Sequence, residues 1–134
     1  METIYSKSSP ETLLHIVHRL ADVHGRTNIV PDEEFLQVAA MKMAAGQTFK
    51  AHRHIEGDRT TTIPQESWLV VKGSVKCMLY DLDDTIIAEP VLQPGDISIT
   101  LRGGHNYLIL EDDTVVYEYK TGPYLGIELD KTFI

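Results

Sequence analysis

Two hydrophobic periods divide the chain. Leu13, Leu14, Val17, Leu20 and Ala21 recur at three- and four-residue intervals, the spacing that lines up one face of a helix. Ser9 ahead of them suits an N-cap and Pro10 the first helical position. Glu11 complements the positive end of the dipole, and Gly25 can end the run. This pattern predicts one amphipathic helix over about 10–24. From Glu34 onward the apolar runs shorten and are punctuated by turn residues. Candidate strands are 35–43, 48–54, 66–71, 75–80, 85–87, 97–100, 105–110 and 114–119. Lys72-Gly73-Ser74 and Glu111-Asp112-Asp113 look like tight hairpin connections, and Asp81-Leu82-Asp83-Asp84 and Pro94-Gly95-Asp96 like turns. Many short strands with regular turns predict a sandwich or closed barrel.

Length and composition keep this to one domain. The chain has 134 residues, of which 43% are hydrophobic and 24% charged, the balance of an ordinary globular protein. The expected division is a helix at about 10–24, a barrel over about 34–120 and a tail at 121–134, all within a single domain, 1–134. A net charge of −8 argues against a nucleic-acid backbone or an anionic membrane as partner, since both call for clustered Lys and Arg. No run of about 18 apolar residues predicts a membrane helix. The first residues lack the basic-then-apolar order of a signal peptide, so a cytoplasmic location is expected. The one cysteine, Cys77, lies in an apolar run and reads as a buried thiol.

Candidate chemistry centres on Gly46-Gln47-Thr48-Phe49-Lys50-Ala51-His52-Arg53-His54. On a strand His52 and His54 share a face with Lys50, because side chains alternate. On a helix the pair would diverge by about 200°. Glu66 opens the next apolar strand and shares its face with Trp68. His105 opens a later strand after Arg102-Gly103-Gly104 and shares its face with Tyr107. If these strands look into one interior, His52, His54, Glu66 and His105 make a three-histidine, one-carboxylate set suited to Fe(II), Mn(II), Ni(II) or Zn(II). Lys50 and Arg102 are placed to neutralise an anionic ligand, and Trp68 and Tyr107 to line the cavity. Glu118 and Lys120 alternate onto one face of the last strand, an acid–base or anchoring pair or a solvated salt bridge.

Gly46, His52-x-His54, Glu66 and Gly73 resemble the first motif of the cupin family: glycine, five residues, His-x-His, glutamate, six residues, glycine. Eleven residues, Ile55 to Gln65, separate the second histidine from the glutamate, where that motif has three or four. Gly95 matches the start of the second motif, with its proline missing and His105 one position from the expected histidine. Gly103-Gly104-His105, Glu118 to Tyr124 and Asp130-Lys131 are similar to small single-domain cupins often called WbuC-like. The resemblance implies a jelly-roll barrel, a double-stranded β-helix, as a homodimer with a divalent metal at His52, His54, Glu66 and His105. It also implies a polar or anionic substrate, sugar-derived by association with polysaccharide biosynthesis. The expected protein is a small-molecule enzyme, an isomerase, lyase or dioxygenase in which Glu66, Lys50, Glu118 and Lys120 serve catalysis. The alternatives are a ligand-binding or sensing module and a metal-free, epimerase-like cupin.

Overall fold

A computed structural model describes all 134 residues. Eleven strands run in chain order: β1 Glu2–Tyr5, β2 Leu13–His18, β3 Arg26–Asn28, β4 Ala39–Met41, β5 Glu66–Lys72, β6 Val75–Tyr80, β7 Ile86–Ala88, β8 Val91–Leu92, β9 Ile97–Thr100, β10 His105–Ile109 and β11 Val115–Lys120. A single helical turn, α1, spans Ile127–Asp130. The protein is mainly β. All of its pairings are antiparallel, in a five-stranded sheet ordered β1-β2-β9-β5-β11, a second sheet ordered β10-β6-β7 with β8 beside β6, and the small pair β3-β4.

The two larger sheets are held face to face by their alternating side chains. Along β6, Val75, Cys77 and Leu79 are buried while their neighbours are only partly so. They meet Val17 and Val70 of the five-stranded sheet and Leu92 of β8 in one cluster. Burial pushes the Cys77 thiol up to about 11, so it stays protonated and packs as a small apolar group. A second cluster, Ile16, Ile29, Val30, Ile99 and Leu101, lies on the outer side of the five-stranded sheet. Leu79 is fully enclosed, so Leu79→Ala should cost about 2–5 kcal/mol in urea unfolding. A cost under about 1 kcal/mol would mean the sheets do not close on each other here.

Several elements differ from the pattern-based expectation. No helix forms over 10–24: residues 13–18 are strand β2, followed by a 3₁₀ turn at Leu20–Asp22. Strand β2 lies between β1 and β9 and is covered on both faces, Val17 by one cluster and Ile16 by the other. A strand buried on both faces carries a continuous apolar run that periodicity cannot tell from a helix, and β-branched Ile16 and Val17 favour the strand. The Ser9-Pro10 signal is a turn, with the Thr12 amide donating to the Ser9 carbonyl at 2.8 Å. The strand expected over 35–43 shortens to Ala39–Met41, and the one expected over 48–54 does not form.

The two presumed hairpins are corners between sheets. Strand β5 leads to β6 through Gly73, yet β5 pairs with β9 and β11 while β6 pairs with β10, β7 and β8. Likewise β10 and β11 belong to different sheets. The two corners pack together: Ser74 Oγ donates to Glu111 Oε1 at 2.6 Å. Gly73 has a φ of 77°, and a Cβ there would collide with Thr114 Oγ1.

Candidate functional site

The inner face of the five-stranded sheet carries two rows of side chains set by strand register. One row runs Lys120, Glu66, Thr100, His15 across β11, β5, β9 and β2, and the next runs Glu118, Trp68, Ser98, Val17. From the facing sheet, His105 and Tyr107 pair with Leu79 and Cys77 and share their inward side. Period-two alternation on β5, β10 and β11 thus directs six of the sequence-nominated residues at one another. Glu66, Trp68, His105, Tyr107, Glu118 and Lys120 line a single cavity of about 610 Å³.

Their contacts form a connected set. His105 Nε2 lies 3.1 Å from Glu66 Oε1, and Trp68 Nε1 donates to the same oxygen at 3.2 Å. Trp68 Nε1 also lies 3.2 Å from Glu118 Oε2. The indole stacks on Tyr107 at 3.9 Å between centroids and 13° between planes. Burial by itself raises the Glu66 carboxyl, but the His105 hydrogen bond and charge, with Lys131 and Lys120 beyond, bring it below its ordinary value. Glu66 is therefore a carboxylate at neutral pH, and His105 Nε2 carries the proton it donates. His105 Nδ1 and the Tyr107 hydroxyl are buried without a partner, and burial pushes the Tyr107 phenol well up.

His15 falls within the helix that periodicity predicts over 10–24 but lies on strand β2. Its ring is fully enclosed, with Nε2 2.9 Å from the Tyr80 carbonyl and Nδ1 3.1 Å from Thr100 Oγ1. Nε2–H donates to the carbonyl, and Nδ1 accepts from the hydroxyl. Burial, reinforced by the charge of His105, lowers His15 to about 4 against the opposing pull of the Tyr80 hydrogen bond and Asp81. His15 thus ties the cavity walls Tyr80 and Thr100 together as a neutral ring. Gly103, with a φ of 77°, packs so close to the Tyr80 carbonyl that no side chain fits. Alternation within Leu14-His15-Ile16-Val17, with β-branched Ile16 and Val17, is the sequence signal for an inward-facing histidine.

Four nominated residues stand elsewhere. Lys50, His52 and His54 are exposed, within a segment from 41 to 64 in which every residue is exposed. His52 Nδ1 lies 2.8 Å from the Lys50 carbonyl, and the two imidazoles meet edge to face at 5.4 Å. Without a strand there, alternation cannot bring them to Glu66 and His105. Arg102 turns from the cavity to Glu34, Nη1 to Oε1 at 2.7 Å, and Glu34 in turn accepts from Gln65 Nε2. A divalent metal does not fit the residues as arranged: only Glu66 and His105 of the four meet, and no group of three or more His, Cys, Asp or Glu side chains is disposed to hold an ion.

Comparison with family models, with curated proteins and with solved structures returned no match. The fold and site define a mainly β protein of facing antiparallel sheets with one polar, aromatic-walled cavity between them.

Proposed function

We propose that this chain is a cupin-like small-molecule enzyme that moves a proton on a polar, sugar-like or anionic substrate held between the two sheets. The observation that carries the reading is the Glu66–His105 pair, a buried carboxylate hydrogen-bonded to an imidazole on the cavity wall. A carboxylate kept ionised at neutral pH is a competent general base once a substrate proton is within reach. Glu66 Oε1 is engaged by His105 and Trp68, which leaves Oε2 for the substrate. In the reaction class that fits, Glu66 takes a proton from carbon beside a carbonyl, and the electron pair moves to the carbonyl oxygen. Where the carbon that lost the proton bears a hydroxyl, Glu66 returns the proton to the former carbonyl carbon while the hydroxyl proton passes to the other oxygen of the enediolate, which completes an aldose–ketose type of isomerisation. The positive charge of Lys120, which already favours the ionised Glu66, also favours the negative charge that develops on the substrate. The Trp68–Tyr107 wall suits a ligand with an apolar face and a hydroxylated rim. Facing sheets joined by cross-sheet corners support the jelly-roll part of the reading.

A panel of sugars and sugar acids screened by thermal shift tests it. Ligands should raise the melting temperature of the wild-type protein and lose that effect in Trp68→Ala/Glu66→Gln. Stabilisation that survives both substitutions would put the ligand elsewhere on the molecule.

A second reading adds a divalent transition metal, Fe, Mn, Ni or Zn. It is favoured by the contact between Glu66 and His105, half of the expected ligand set, and by the exposure of the 41–64 segment that carries His52 and His54. It requires that segment to move onto the cavity. Elemental analysis of anaerobically purified protein decides it. About one metal per chain, lost in His52→Ala/His54→Ala, supports a metal centre; less than about 0.1 per chain refutes it.

A further inference from the structure

We infer that residues 126–134 form a strap lodged in an anion subsite of this cavity, with the Asp130 carboxylate standing where a carboxylate or phosphate of the substrate binds Lys120. The inference rests on the reading of the cavity as a substrate site and names the charged part of that substrate.

Lys120 pairs with Glu66 in the strand register, which puts it on the cavity wall beside the proposed base. Its ammonium lies 3.4 Å from Asp130 Oδ2, 3.7 Å from Glu118 Oε1 and 4.1 Å from the centre of the Tyr124 ring. Glu118 belongs to the same strand and is also held by Trp68. Asp130 comes from the last position of α1, ten residues further along the chain. From there residues 131–134 continue along the cavity, and Ile134 reaches Gly104, where any Cβ would collide with it.

Beyond the attraction of Lys131 for Glu66 and the seat of Ile134 against Gly104, the strap is held by little else. Leu129, Phe133 and Ile134 are 79%, 86% and 62% exposed, so apolar burial contributes little to its attachment. Asp130 and Lys120, by contrast, are about four-fifths shielded as side chains. A segment fixed mainly by one partly buried ion pair can be displaced by a ligand that offers Lys120 a better anion. A small molecule carrying a carboxylate or phosphate meets that requirement, and its hydroxylated remainder then lies against Trp68. A neutral sugar has no means of removing Asp130. The strap therefore selects for charged substrates and covers the site until one arrives.

The test uses the full chain, with Trp68, its one tryptophan, as a fluorescent probe inside the cavity. D-glucuronate and D-glucose are titrated at constant ionic strength into wild type, Asp130→Asn and Lys120→Met, and backbone hydrogen exchange of residues 127–134 is followed in parallel. Asp130→Asn should speed exchange in 127–134 and tighten glucuronate binding by roughly two- to fivefold, the worth of one partly shielded ion pair. Glucose, which cannot displace the strap in the wild type, should also bind more tightly in Asp130→Asn while remaining the weaker ligand, and Lys120→Met should abolish the preference for glucuronate. Glucuronate added to the wild type should also speed exchange in 127–134. Unchanged or weaker glucuronate binding in Asp130→Asn overturns the proposal, as does glucuronate binding that leaves exchange in the strap unaltered. Failure of both sugars in every variant overturns it too. The thermal-shift panel then separates the cases: neutral ligands found there keep the cavity reading, and a blank panel removes it together with the strap.

Discussion

Between pH 6.5 and about 4 the protein should lose about 3 kcal/mol of stability, most of it through His15. In the unfolded chain this imidazole takes up a proton near its ordinary value of 6.5, whereas in the folded protein it does so only near 4. Across that window the unfolded state binds the extra proton. Stability therefore rises with pH and is fully present above 6.5. The cause is visible in the packing: the ring is wholly enclosed, Nε2 already donates to the Tyr80 carbonyl, and Nδ1 is used as an acceptor from Thr100. Protonating Nδ1 would make the Thr100 hydroxyl turn from donor to acceptor and would place a charge in a buried site near His105. His18, also lowered by burial, acts in the same direction. Urea unfolding at pH 7, 5.5 and 4.5 measures the slope. His15→Gln, whose amide can keep both hydrogen bonds, should flatten most of it. An equal slope in wild type and variant would show that His15 is not the group responsible.

The second large effect is expected at Glu66. Glu66→Gln should lower turnover by about 10²–10⁴-fold, the usual contribution of a positioned base. The melting temperature should change little, because the amide oxygen can still accept from Trp68 Nε1 and His105 Nε2. His105→Asn should act through the same pair by removing a hydrogen bond and a charge that favour ionised Glu66. In that variant the acidic limb of the rate profile should move to higher pH, because a base whose carboxyl is raised is lost earlier on acidification. A rate loss with no change in the profile would mean that His105 merely fills space.

The inner wall of the cavity was legible because a strand has one simple rule. Glu66 and Trp68, His105 and Tyr107, and Glu118 and Lys120 are each two residues apart, so a strand carries both members of a pair to one face. Which strands face each other is set by long-range register, and no local pattern records it. That is why Gly73 and the Glu111–Asp113 link read as hairpins when they are sheet-to-sheet corners. The same ambiguity hid His15: a fully covered strand and an amphipathic helix both carry dense apolar residues, and the turn residues ahead of β2 double as helix caps. His52 and His54 show the converse limit. Their spacing has meaning only on a regular strand, and the backbone there is not one. The strap of residues 126–134 has no periodicity and meets the cavity through one ion pair and a few contacts, so its role is visible only in three dimensions.

The most direct test of the account follows proton exchange at carbon. Wild-type protein is incubated in D₂O with a panel of hydroxylated carbonyl compounds, including sugar acids, and deuterium incorporation is read by proton NMR. The signal from the carbon beside the carbonyl should be lost in at least one charged member, with no such loss in Glu66→Gln. Exchange that proceeds equally with Glu66→Gln, or ligand binding with no exchange in any member, would contradict it.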